Sequence, residues 1–189
     1  MKKSQDTQVV RKGTSPWLWL ILSALVVVLD QCTKWLCVAF LEPVKSITLI
    51  PGLLRLTYLE NSGMAGGLLS NQRWVFMVFS TVAIVGVTVY LVRFSEQNRL
   101  LRWALALIIG GGVGNMIDRL SPREAVIDFI DFYGIWPLVF NVADSAVCIG
   151  AAILLCYYVW AMIQEMRQSG QSASEQNGDQ SGDASGGQA

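Results

Sequence analysis

Two stretches of this chain hold acids and amides at spacings that suit proton chemistry. Gly110 to Arg119 reads GGGVGNMIDR, a glycine-rich apolar segment that ends in Asn115, Asp118 and Arg119. After a short polar link, Val126 to Asp131 reads VIDFID and supplies Asp128 and Asp131. A further apolar run opens with Asn141 and Asp144. Carboxylates at the ends of hydrophobic segments are costly in lipid and call for a functional reason. Two carboxylates sharing one site cannot both ionise cheaply, so one keeps a proton. The protonated acid can polarise a carbonyl while the ionised one takes a proton from water, which attacks. That is the chemistry of an aspartyl peptidase, and it requires neither a metal nor a covalent intermediate.

Each acid also has a bland explanation. Asn141 is a good helix N-cap, and Asp144 in the first turn suits the helix dipole. Asp118 and Arg119 could be an ion pair at a helix end. Asp128 and Asp131 could be solvated acids of an interfacial segment. Taken together these explanations weaken, because a chain could place serine or glutamate outside the membrane at lower cost. Composition narrows the chemistry further. Histidine is absent, which excludes HExxH zinc sites and Ser-His or Cys-His nucleophiles. Cys32, Cys37, Cys148 and Cys156 lie inside apolar segments with no CxxC pair and read as packing residues. No metal or cofactor is expected. A net charge of zero offers no basic field to nucleic acid.

The elements that must position these residues are membrane spans. The chain has 189 residues, of which 53% are hydrophobic, and a positive mean hydropathy, which points to an integral membrane protein. Four apolar stretches read as spans: Trp17 to about Phe40, Trp74 to Val92, Trp103 to Ile117, and Val142 to Ile163. The first has the basic start of a signal peptide, but it is too long and no A-x-A site follows, so it stays as a helix. Asp30 and Lys34 share one of its faces at i, i+4. If the helix ends near Trp35, Asp30 lies roughly 8 Å short of its outer end. Ile47 to Ile50 and Leu53 to Tyr58 read as short strands around a Pro51-Gly52 type II turn, forming a small sheet on the membrane surface. Glu60-Asn61-Ser62-Gly63 is expected to re-enter toward the bundle. Gly110 and Gly114 form a GxxxG that allows close helix approach.

The expected organisation is a basic arm over 1–16, a single four-span domain over 17–165, and a flexible polar tail over 166–189. With both termini inside, the cytosolic side carries eight basic residues (Lys2, Lys3, Arg11, Lys12, Arg93, Arg99, Arg102 and Arg167) against five outside (Lys45, Arg55, Arg73, Arg119 and Arg123). The positive-inside bias therefore favours cytosolic termini. Asp30, Lys34, Asn61, Asn115, Asp118, Arg119, Asp128, Asn141 and Asp144 then fall at one depth near the outer face.

Five blocks in order give the chain its resemblance: Asp30-Gln31-Cys32-Thr33-Lys34, Asn61-Ser62-Gly63, Gly111 to Arg119 (GGVGNMIDR), Val126 to Ile130 (VIDFI), and Phe140 to Ser145 (FNVADS). In these the chain resembles prolipoprotein signal peptidase, or signal peptidase II. The resemblance implies that Asp128 and Asp144 are the catalytic pair. It implies that Asp30, Lys34, Asn61, Gly63, Asn115, Arg119 and Asn141 shape the site, and Asp118 joins them from the same block. The implied fold is an all-α integral membrane protein with four transmembrane helices, a small extracytoplasmic β-cradle and a short mobile helix over the site. The implied activity is removal of the signal peptide from diacylglyceryl-modified prolipoproteins, cutting before the lipidated cysteine. The implied setting is the bacterial inner membrane, with membrane lipid as the other partner and a monomer as the working unit. Met64, Gly66 and Glu124 depart from the family pattern in substrate-facing loops. Among alternatives, a GxGD-type intramembrane aspartyl protease would need aspartate where Asn115 stands. A carboxylate-dependent transporter would stagger its acids through the bilayer. A non-catalytic assembly factor would use the GxxxG and the sheet for partners.

Overall fold

A computed structural model describes residues 15–63, 73–93 and 98–183. Helix α1 covers Pro16–Leu36 and continues as a π-helical turn over Cys37–Leu41. Strands β1 (Ser46–Ile50) and β2 (Leu54–Asn61) follow, then α2 (Arg73–Arg93) and α3 (Arg99–Leu120). Strands β3 (Val126–Asp131) and β4 (Val139–Phe140) lead into α4 (Val142–Asp183). Pro16 starts α1 where no intrahelical N–H is required. Asn98 caps α3, its Oδ1 accepting from the backbone N–H of Leu100 at 2.9 Å. Among the described residues, Pro16–Leu41, Arg99–Leu120 and Val142–Gly170 are long and apolar enough to cross a membrane, and Met77–Arg93 is a shorter apolar helix. Trp17, Trp35, Phe40 and Trp74 are exposed, as side chains that face lipid would be.

One distance and two helix ends differ from the sequence reading. The first helical stretch ends at Leu41, next to the expected end near Phe40, so Asp30 lies about 16 Å from its end rather than the roughly 8 Å that an end near Trp35 would give. Helix α3 passes the expected end at Ile117 and carries Asp118 and Arg119 on to Leu120. Neighbouring helices satisfy these side chains, so the helix has no need to end in water. Helix α4 continues to Asp183, where composition predicts a flexible tail from 166. Extending an established helix costs far less than nucleating one, and glutamine, serine and alanine tolerate it. The basic residues expected at 2–12 and the Met64 to Leu69 segment lie outside the described residues.

The strands form one antiparallel sheet in the order β1-β2-β3-β4. Gly52 has φ +76° and Leu53 N–H donates to Ile50 C=O at 3.1 Å, the type II turn that Pro51-Gly52 suggests. Asn61 ends β2 opposite Val126 of β3, and Asn61 to Gly63 line a cleft with residues of α2, α3 and α4, as the expected turn toward the bundle requires. The VIDFID segment is an inner strand rather than a row of solvated acids: Asp128 is 2% and Asp131 5% exposed. Asp131 is held by Arg55, whose Nη2 lies 2.6 Å away, and by the Thr57 hydroxyl at 2.8 Å. The register shift between Leu56 and Leu59 places Leu59 opposite Asp128 and brings Asn61 within bonding reach of it.

Helix α3 lies between α1 and α4, and its glycines set both spacings. A Cβ on Gly110 would sit 2.7 Å from Ser23 C=O of α1, and one on Gly114 would sit 2.6 Å from the Asp30 carboxylate. The GxxxG therefore does what its spacing suggests, closing α3 onto α1. Gly111 does the same toward α4, where a Cβ would collide with the Ala143 carbonyl. On the other side of that contact, Gly150 of α4 meets Ala104 C=O of α3. Without these approaches the side chains of the three helices could not reach one another.

Candidate active site

The site sits where the C-terminal ends of α1 and α3 and the N-terminal end of α4 meet β2 and β3. Asn141 organises its centre. It caps α4 by a reciprocal capping box: its Oδ1 accepts from Asp144 N–H at 2.8 Å, and Asp144 Oδ2 accepts from Asn141 N–H at 3.2 Å. The cap fixes which way the amide points, so Asn141 Nδ2 must face outward, donating to Asp128 Oδ1 at 2.7 Å and to Asn115 Oδ1 at 3.1 Å. One fully buried residue thus touches both carboxylates.

Two more asparagines are oriented by their surroundings. Asn61 Oδ1 accepts from Gly63 N–H at 3.1 Å, which turns Asn61 Nδ2 toward Asp128 Oδ2 at 2.9 Å. Asn115 Oδ1 accepts from Lys34 Nζ at 3.0 Å, which turns Asn115 Nδ2 toward Asp144 Oδ1 at 2.7 Å. Every oxygen of Asp128 and Asp144 therefore receives one N–H whose direction is set elsewhere. Their remaining lone pairs are left for a proton and a substrate. Burial pushes the Asp128 carboxyl up to about 6. Its asparagine donors pull it back down, and the charge of Asp144 pushes it up again.

Behind this layer lies a buried ionic cluster. Lys34 Nζ, 2% exposed, contacts Asp30 Oδ2 at 2.8 Å, Asp118 Oδ2 at 2.7 Å and Asn115 Oδ1. Its donors are all used, and neither acid is unpaired. Asp118 therefore pairs with Lys34 of α1, not with its neighbour Arg119. Arg119 donates to Asn115 C=O at 3.1 Å and lines the same cleft as both carboxylates. The cleft measures about 790 Å³. One end is polar, with Asn61, Asn115, Arg119, Asp128 and Asp144. The other runs down between α2, α3 and α4 along Ala83, Ile84, Ile108, Val147 and Cys148.

All ten residues singled out from sequence come together: Asp30, Lys34, Asn61, Gly63, Asn115, Asp118, Arg119, Asp128, Asn141 and Asp144. Asn115 acts as an amide donor to Asp144, so its block does not supply the acid that a GxGD-type protease requires. Residues 22–160 match the family described as Signal peptidase (SPase) II. The chain belongs to the signal peptidase II family. A protein of Shouchella clausii described as lipoprotein signal peptidase is 46% identical over 136 residues, covering 71% of this chain and 88% of the relative. One of Bacillus subtilis, described in the same words, is 37% identical over 162 residues, covering 84% and 99%. Two solved structures described as a bacterial membrane enzyme superpose with TM-scores of 0.73 and 0.70 at 26% and 27% identity. They cover 80% and 79% of this chain, and this chain covers 93% and 97% of theirs.

Sequence reasoning passed over several residues that build this candidate site. Gln31 bridges α1 to α3, its Nε2 lying 2.9 Å from Asp118 Oδ1 and 3.1 Å from Gly114 C=O. Its place in the Asp30–Lys34 block was the available signal. Arg55 and Thr57, which bind Asp131 and hold β2 to β3, left none, because their pairing depends on register. Glu124 has a φ of +55°, a left-handed conformation that favours glycine.

Proposed function

We propose that the chain is an aspartyl endopeptidase that removes the signal peptide from diacylglyceryl-modified prolipoproteins. The observation that carries this reading is the pair of carboxylates, Asp128 and Asp144, facing one cleft with each oxygen bound to an oriented N–H. The apolar end of the cleft suits acyl chains that stay in the bilayer, while the scissile peptide lies at the polar end. Ionised Asp144, at the N-terminus of α4, takes a proton from water, and the water oxygen attacks the carbonyl carbon before the lipidated cysteine. Protonated Asp128 donates to the carbonyl oxygen as charge develops there. The tetrahedral intermediate collapses as the proton on Asp144 passes to the leaving nitrogen, and Asp128 recovers its own. Arg119 is placed to bind a backbone carbonyl of the substrate.

The test is cleavage of a lipidated precursor by the purified chain in detergent, without added metal or nucleotide. No cleavage would overturn the reading. The same assay checks the proton assignment. A carboxyl raised to about 6 is protonated below that pH and ionised above it, so the donor form of Asp128 is lost as pH rises. The free-enzyme profile of kcat/KM should therefore decline on an alkaline limb that begins near pH 6, with the pair titrating jointly. A profile flat from pH 5 to 8 would refute Asp128 as donor.

The same proposal places the chain in a bacterial inner membrane as a four-span monomer, with α2 as the remaining span, both termini cytosolic and the site near the outer face. Helix α2 has 21 residues, about 32 Å of helix, which supports a crossing. Reporter fusions after residue 93 should read cytosolic and fusions near Arg55 outside. An outside reading at Arg99 would sink the topology.

A further inference from the structure

The buried cluster around Lys34 has a geometric relation to the dyad that its ion pairing does not require. Asp30 Oδ1, the oxygen turned away from Lys34, accepts the backbone N–H of Ala143 at 2.9 Å. Ala143 immediately precedes Asp144. Asp118 Oδ2, which Lys34 binds, also accepts the backbone N–H of Ile127 at 3.4 Å, a long contact. Ile127 immediately precedes Asp128. Lys34 thus joins two carboxylates, and each grips the peptide group just before one of the two reacting acids. The third bond of Lys34 orients Asn115, which donates to Asp144. Gln31 completes the arrangement by holding Asp118 Oδ1.

We propose that Lys34, Asp30, Asp118 and Gln31 form a positioning yoke that sets the spacing between Asp128 and Asp144 through the backbone of Ile127 and Ala143. The dyad comes from two elements, β3 and α4, and the hairpin-like link of residues 132–140 between them carries Gly134 at φ +82° and only a two-residue strand. Such a connection does not fix a distance by itself. The yoke does so from α1 and α3, whose approach is locked by Gly110 and Gly114. None of the four side chains touches the reacting atoms on this account. They act through other residues, so their loss moves the chemical step and leaves the substrate groove intact. Gln31 is the member with no charge of its own and the most informative to change.

This inference rests on the proposed peptidase reaction, and one experiment separates the two. Gln31→Met and Asp118→Asn are compared with the unmodified chain for kcat, KM and melting temperature on a lipidated precursor. Binding of the same precursor is measured with each change placed in an Asp128→Asn/Asp144→Asn background. Gln31→Met removes the donor to Asp118, Gly114 and Asp30 while keeping side-chain volume. We expect kcat to fall about tenfold for Gln31→Met and about 100-fold for Asp118→Asn, with KM and precursor binding within about twofold, as for a misplacement of roughly 1 Å at a reacting centre. If kcat is unchanged in Gln31→Met, the yoke is wrong, and this variant decides the matter even if Asp118→Asn does not fold. If kcat, binding and melting temperature all fall together, the cluster is structural and the yoke is again wrong. If the unmodified chain does not cleave the precursor, the peptidase reading itself fails and takes the yoke with it.

Discussion

Replacing Asp128 or Asp144 by asparagine should lower turnover of a lipidated precursor by about 10³-fold or more, and the double replacement should cost little beyond either single one. The two acids share one function. Each supplies what the other lacks, a proton or a base, and Asn141 bonds to both at once, through Nδ2 to Asp128 and through its backbone N–H to Asp144. An asparagine keeps the shape but cannot exchange the proton. It also turns an N–H₂ toward a neighbouring donor: at 128 this faces either Asn61 or Asn141, whose amides cannot flip without losing Gly63 N–H or the helix cap. A modest loss of stability should accompany the loss of rate, so folding must be checked by melting in detergent. Precursor binding should survive, because the apolar end of the cleft is unchanged. Either single variant with near-normal turnover, or losses that multiply independently, would refute the dyad.

Lys34→Met should be the most destabilising single change in the site. It leaves Asp30 and Asp118 buried, at 0% and 7% exposure, without their shared cation. Removing one partner of a buried ion pair typically costs about 3–5 kcal/mol, because the remaining charge has no solvent. Here two charges are stranded. Asp30→Asn should cost less, since its amide oxygen can still serve either Ala143 N–H or Lys34 and no charge is stranded on Asp118, and it should leave measurable turnover. Adding Asp30→Asn to Lys34→Met should restore part of the lost stability, because it removes one stranded charge. Thermal unfolding of the single and double variants is the measurement. An unchanged melting temperature for Lys34→Met would contradict the buried cluster as described.

The chain's amino-acid types and their spacing were enough to single out the ten residues that the fold brings together and to suggest the chemistry proposed for them. Acids inside apolar segments are rare enough to stand out, and the absence of histidine removed most competing mechanisms. The spacing of Asp30 to Lys34 gave their contact, since a helix makes i, i+4 neighbours unavoidable. The spacing of Asn141 to Asp144 likewise gave the cap. The glycines at 110 and 114 announced a close helix approach.

What only the tertiary structure decided is every relation between segments. Asp118 had a cation beside it in sequence, yet it pairs with Lys34, because Gly110 and Gly114 let α1 come close enough to offer one. Taken alone, VIDFID could be a solvated segment, and pairing with β2 made it a buried strand with Asp128 turned onto Asn61 and Asn141. The roles of the asparagines depend on which way each amide points. That direction is set by partners up to 81 residues away, as Lys34 sets Asn115. Local sequence fixes the period of a helix or strand and thus what its own neighbours touch. Register, helix spacing and amide direction are set by packing between elements, and no local pattern carries them.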